Sequence, residues 1–194
     1  MLDSKARDAL SGVSRAVGSA VGRSRISPNL ITTAGLVVTG AASILVLRDG
    51  FVAAGIVLLA GGALDFVDGS VARATGKATS FGAVYDSIAD RMSDGLILGS
   101  LTWALFDRGD GVGAALGIVS LVLSGLVPYI RAKAESLGYD ASVGVAERAE
   151  RVIAIVAGLV FGIITPVLGV LAALSAVTVV QRAVHVGKQA RARG

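Results

Sequence analysis

Apolar runs separated by short polar breaks divide this chain into six stretches, at about 28–48, 51–74, 80–106, 111–136, 148–165 and 167–187. A bilayer core takes roughly 20 apolar residues in a helix, so the pattern predicts six transmembrane helices joined by loops too short for a second folded domain. Residues 2–24 differ in kind. There Leu2, Ala6, Leu10, Val13, Val17 and Val21 recur at helical spacing, with Lys5, Arg7 and Arg15 elsewhere on the surface, which predicts an amphipathic helix lying on the membrane. The expected fold is all-α and integral to the membrane: one domain over 1–194, with an interfacial helix at 1–25, a six-helix bundle at 26–188 and a basic tail at 189–194. Charges recurring through Arg25 without an isolated apolar core argue against a cleavable signal peptide.

Composition supports the membrane assignment. The chain is 54% hydrophobic with a mean hydropathy of +0.75, beyond the range of ordinary soluble domains, and its 26 glycines suit close helix packing in lipid. The charges then set an orientation. Of 18 Lys and Arg residues, only Arg48 and Arg108 fall in loops on one side. The others, apart from Arg91 within the third helix, cluster at the amino terminus, the ARATGK turn, the 131–151 connection and the carboxyl terminus. The positive-inside rule therefore predicts a multi-pass cell-membrane protein with both termini cytoplasmic. The net charge of +4 marks topology, and no basic-aromatic pattern points to nucleic acid. With no cysteine, disulfides and thiol chemistry are excluded.

Against this apolar background, Asp65, Asp68, Asp86 and Asp90 sit inside predicted helices. A carboxylate at the centre of a membrane helix costs about 2.5–3.5 kcal/mol on insertion scales, so four persist only with a neutralising partner. Separations of three and four residues put each pair on one helix face, and the polar break between them makes the two helices an antiparallel hairpin whose carboxylates converge near the cytoplasmic surface. Gly69, Ala72 and Gly82 allow the backbones to approach closely. Hard oxygen donors without nearby Cys or His favour Mg²⁺, or alternatively Mn²⁺. The single histidine, His185, reads as an interfacial side chain near the end of the last helix.

The full spacing is Asp, two residues, Asp-Gly, two residues, Ala-Arg, eight residues, Gly, three residues, Asp, three residues, Asp. It is filled by Asp65, Asp68, Gly69, Ala72, Arg73, Gly82, Asp86 and Asp90, and it resembles the signature of the CDP-alcohol phosphotransferases. The resemblance implies that an alcohol attacks the β-phosphorus of a CDP-linked lipid and releases CMP. It also implies that Asp65, Asp68 and Asp86 bind metal, and that Asp90 both approaches the metal and accepts the proton of the attacking hydroxyl. The CDP-lipid would be held by Asn29, Thr32, Asp65, Asp68, Gly69, Arg73, Thr79 and Gly82. Asn29 and Thr32 lie at the start of the first helix, which lines this pocket in the family, although Ser27-Pro28 is equally an ordinary helix cap. Asp94 continues the aspartate stripe by one turn, as an ion-pair partner or a support outside the signature.

The acceptor is a separate question. Arg131, Lys133, Arg148 and Arg151 flank the connection between helices four and five, and Arg182 lies near the end of the last helix. Several cations around one cavity suit a phosphate monoester, while the same residues also satisfy the positive-inside rule. The segments DRMSDG, PYIRAKAES and ERAER are similar to those of actinobacterial phosphatidylinositol phosphate synthases. That resemblance implies CDP-diacylglycerol and 1-myo-inositol 3-phosphate as substrates, with membrane lipid around the chain and homodimerisation. A phosphatidylglycerophosphate synthase using glycerol 3-phosphate is the alternative. A divalent-cation transporter would need polar residues continuing to the far membrane face, where the helix ends near Arg48 and Arg108 are largely apolar.

Overall fold

The computed structural model of the protein describes residues 27–62, 79–145 and 148–193. Among the described residues every regular element is an α-helix. The six are α1 (Pro28–Leu47), α2 (Phe51–Gly62), α3 (Ser80–Asp107), α4 (Gly111–Ser136), α5 (Arg148–Phe161) and α6 (Ile164–Arg193). The predicted amphipathic helix, Asp65, Asp68, Gly69, Ala72 and Arg73 lie outside the described residues.

Local sequence sets the helix ends. Ser27 accepts the Leu30 N–H at 3.3 Å and is followed by Pro28 in the first turn of α1. Thr79 caps α3 through the Gly82 N–H, and Asp110 caps α4 through the Gly113 N–H. At their C-termini, α1, α3 and α4 stop on a residue in the left-handed region: Asp49, Gly109 and Gly138, with φ of 61°, 77° and 77°. In each case the following N–H reaches back to the carbonyl of the helix's third-last residue, as from Gly50 to Leu45 at 2.9 Å, so the last turn keeps its hydrogen bonds. Asp49 also accepts from Arg108 at 2.8 Å, tying together two loops at one end of the bundle.

Two boundaries differ from the sequence expectation. Gly162, at φ 70°, breaks the fifth apolar run after Phe161, leaving α5 with 14 residues. The last helix runs 30 residues to Arg193, so the segment expected as a basic tail is helical over 189–193. Among the described residues, three helices are long and apolar enough to cross a membrane: Asn29–Leu47, Gly111–Ser136 and Ile164–Arg193. By contrast, α3 carries four charges between Asp86 and Asp94, and α5 extends only about 21 Å against a hydrocarbon core of about 30 Å.

Packing pairs α1 with α3, α3 with α4, α4 with α6 and α5 with α6. The shared core contains Val46, Leu58, Leu98, Leu101, Leu159 and Leu168. Large apolar side chains such as Val37, Ile56, Trp103, Phe106 and Val180 remain exposed on the outer surface, as expected where lipid is the solvent. Buried hydroxyls are satisfied locally: Thr39 and Ser43 donate to carbonyls one turn back, while Ser120 donates across to Leu168 of α6 at 3.2 Å.

Candidate active site

The starts of α1 and α3 lie side by side. Thr33 and Tyr85 share a hydrogen bond of 2.8 Å between their hydroxyls, fixing the register of the two helices at this end. A Cβ added to Gly82 would lie 3.0 Å from Thr79 Oγ1 and 3.5 Å from Asn29 Oδ1. Glycine here leaves the space into which both polar groups open. The structure thus brings Asn29, Thr79 and Gly82 together, with Thr32 buried a turn further along α1. Thr33 and Tyr85 were not singled out from sequence; only the tertiary contact across 52 residues distinguishes them from other polar positions in apolar helices.

From this point an acidic ladder descends α3. Asp86, Asp90 and Asp94 are one turn apart, passing from exposed through half-buried to buried. Two arginines of α5 match the lower rungs. Arg148 Nη1 lies 2.8 Å from Asp90 Oδ1, and Arg151 Nη2 donates to Asp94 Oδ2 at 2.7 Å. Arg91 Nη1 approaches Asp90 Oδ2 at 3.9 Å. The Asp94–Arg151 pair is the more deeply buried, with side chains only 8% and 5% exposed, and Arg151 Nε is buried without a hydrogen-bond partner among the described residues. Buried charges persist when paired in this way, and the pairing clamps α5 against α3.

The remaining cations are placed differently. Arg131 is exposed on α4 and bonds Glu135 at 2.8 Å; Lys133 is exposed on the same helix. Arg182 is buried, donating from Nε to Val143 O at 2.8 Å and from Nη1 to Val127 O at 2.6 Å. Two of the five predicted acceptor-site cations, Arg148 and Arg151, therefore join the acidic ladder, while Arg131 and Arg182 have described partners elsewhere. A cleft of about 440 Å³ between α3 and α4, lined by Ser87, Arg91, Asp94, Ser124 and Tyr129, opens beside the ladder. His185 lies 3.3 Å from Asp140 Oδ2.

Among the described residues no three His, Cys, Asp or Glu side chains form a metal-holding group. Asp65 and Asp68 lie outside those residues. Asp86 and Asp90, one turn apart, supply the hard oxygen donors that Mg²⁺ and Mn²⁺ take, so the donor set present fits such an ion.

The family model described as CDP-alcohol phosphatidyltransferase matches residues 25–181. The chain belongs to this family. It is therefore a phosphotransferase of phospholipid biosynthesis. Among curated relatives, the archaetidylinositol phosphate synthase of Methanothermobacter thermautotrophicus is 39% identical over 170 residues, covering 84% of this chain and 85% of that protein. The phosphatidylinositol phosphate synthase of Corynebacterium glutamicum is 37% identical over 179 residues, covering 87% and 81%. The crystal structure of Mycobacterium tuberculosis phosphatidylinositol phosphate synthase with CDP-DAG bound superposes with a TM-score of 0.81 at 29% identity, covering 90% of this chain and 93% of that one. The same mycobacterial enzyme in complex with manganese and citrate gives a TM-score of 0.77. Within this CDP-alcohol phosphatidyltransferase, the Asp86–Asp90 turn and the paired α5 arginines occupy the matched region.

Proposed function

We propose that the chain is a phosphatidylinositol phosphate synthase, joining the phosphatidyl group of CDP-diacylglycerol to 1-myo-inositol 3-phosphate with release of CMP. The observation that carries this reading is the likeness, over nine-tenths of both chains, to the mycobacterial enzyme of that name bound to CDP-DAG. The archaeal and actinobacterial relatives support the acceptor in a second way. Their names differ in the lipid and agree on inositol phosphate, which favours it over glycerol 3-phosphate.

In this reading Asn29, Thr32, Asp65, Asp68, Gly69, Arg73, Thr79 and Gly82 hold the CDP-lipid at the heads of α1 and α3. Asp65, Asp68, Asp86 and Asp90 hold the divalent ion, Mg²⁺ or Mn²⁺, which when bound neutralises the pyrophosphate and stabilises charge developing at phosphorus. Asp90 accepts the proton of the attacking inositol hydroxyl as the new oxygen–phosphorus bond forms, and the bond to CMP breaks with its electrons going to the CMP phosphate. Arg148 orients Asp90 through Oδ1. Arg131, Lys133, Arg148, Arg151 and Arg182 are assigned to the acceptor phosphate, with the buried, unpartnered Nε of Arg151 a strong local reason for including that residue. Six helices cross the membrane, the amphipathic first segment lies on its surface, and the site and both termini face the cytoplasm, a reading supported by the charge asymmetry. The enzyme works as a homodimer, an expectation that rests on the resemblance.

The test is an acceptor panel with purified protein, CDP-diacylglycerol and Mg²⁺ or Mn²⁺, scored for CMP and lipid product. Inositol phosphate should be used well and free inositol poorly. Turnover with glycerol 3-phosphate and none with inositol phosphate overturns the assignment.

A further inference from the structure

The connection between α4 and α5 lies along one stripe of α6. Arg193 Nη2 donates to Gly138 O at 2.6 Å, and its guanidinium stands 4.6 Å from the Tyr139 ring centroid. Gln189 pairs with both backbone groups of Asp140, accepting the N–H at 3.0 Å and donating to the carbonyl at 2.7 Å. His185 meets the Asp140 carboxylate, Arg182 donates to Val143 O, and Thr178 accepts the Val145 N–H at 3.3 Å. Positions 178, 182, 185, 189 and 193 are spaced by three or four residues and share one helix face. The connection runs antiparallel to them, its number rising as theirs falls.

The lengths match. From residue 178 to 193 the helix rises about 22 Å, while residues 138 to 145 reach about 23–25 Å at full extension. The connection is thus long enough to follow this stripe of α6 and is tied to it at both ends and between. Ala141 in its middle is fully buried, and Asp140 Oδ1 accepts the Ser142 N–H at 3.1 Å, so the segment is held from within as well. Arg148 and Arg151, the partners of Asp90 and Asp94, begin three residues beyond Val145.

We propose that the last three turns of α6, through His185, Gln189 and Arg193, act as a positioning strap that holds residues 138–145 against α6 and so sets where Arg148 and Arg151 stand against α3. None of the three touches the acidic ladder in the described contacts. Their effect on the reaction is exerted through the connection. Because the α5 arginines are assigned to the acceptor phosphate, the strap's influence falls on the acceptor and spares the CDP-lipid; this part rests on the function proposed above.

Two variants test it, Gln189→Leu, which retains bulk and loses both backbone bonds, and the surface change Arg193→Gln. Backbone hydrogen exchange reads the strap without reference to any substrate: the Asp140, Ser142 and Val145 amides should exchange at least about tenfold faster in Gln189→Leu. Kinetics read its consequence. The KM for inositol phosphate should rise about five- to tenfold, as expected for losing neutral hydrogen bonds, with the CDP-diacylglycerol KM within about twofold of wild type. Arg193→Gln should shift both readouts in the same direction. Unchanged exchange in both variants overturns the strap. Faster exchange with an unchanged acceptor KM, or with both KM values rising together, overturns its positioning role. Should wild type prefer another acceptor, the functional assignment falls while exchange still reports on the strap, and the same KM comparison is made with the acceptor it uses.

Discussion

The buried pair of Asp94 and Arg151 allows a structural role and an acceptor-binding role to be separated. Arg151→Gln leaves the buried Asp94 carboxylate without its 2.7 Å partner. Removing one member of a buried pair costs about 3–5 kcal/mol, and at about 2–4 °C per kcal/mol for a chain of this size Tm should fall on the order of 10 °C. Asp94→Asn strands the arginine instead and should cost a similar amount. The double variant removes both charges and restores a neutral amide pair, so its Tm should recover to within a few degrees of wild type. Activity should separate from stability here. If Arg151 donates to the acceptor phosphate, losing one charge-assisted hydrogen bond worth about 1.5–3 kcal/mol lowers kcat/KM for inositol phosphate about 10- to 100-fold. The double variant cannot recover that loss.

The measurement is thermal unfolding of the purified membrane protein beside CMP release across an acceptor titration, for wild type, both single variants and the double. Arg151→Gln and the double should share the same acceptor defect despite different stabilities. Asp94→Asn should keep more acceptor activity than either. A double variant that regains both Tm and acceptor kcat/KM to within about threefold of wild type would refute the reasoning, because Arg151 would then serve only to neutralise Asp94.

Asp86→Asn removes an anionic oxygen with little change in shape, on an exposed rung where folding should be spared; turnover should fall by about 10²-fold or more with Tm unchanged, and chelation of wild type should do the same until Mg²⁺ or Mn²⁺ is restored. At the opposite end of the bundle, the Thr165 hydroxyl and then the Gly113 N–H donate to Asp110 and hold its carboxyl below the ordinary value of 3.8. Because the folded-state value is the lower one, the contribution is complete above about pH 4 to 5 and is lost as pH falls through the folded value. Asp110→Ala should therefore lower Tm at neutral pH and flatten its acid dependence, as thermal scans between about pH 3 and 7 would show.

The all-helical character of the described residues was legible because lipid leaves the backbone few alternatives: apolar length predicts a helix, and Ser27-Pro28 marks the start of α1 by its own chemistry. The break at Gly162 was not legible, since a glycine in a membrane helix is ordinary and only its positive φ ends α5. The cations show a deeper reason for the gap. Counting arginines near one membrane face treats them as equivalent topological charge, yet Arg151 and Arg182 are only 4% and 5% exposed while Arg131 stands on the surface. What separates them is where an unsatisfied partner falls. Asp94 needs a countercharge because it is buried two turns below the exposed Asp86. Val143 in the α4–α5 connection and Val127 within α4 both present carbonyls to Arg182 of α6, contacts spanning 39 and 55 residues that no local spacing encodes. The buried Arg182 guanidinium is itself satisfied by these two backbone carbonyls, so its position follows from the path of the chain as much as from any ligand.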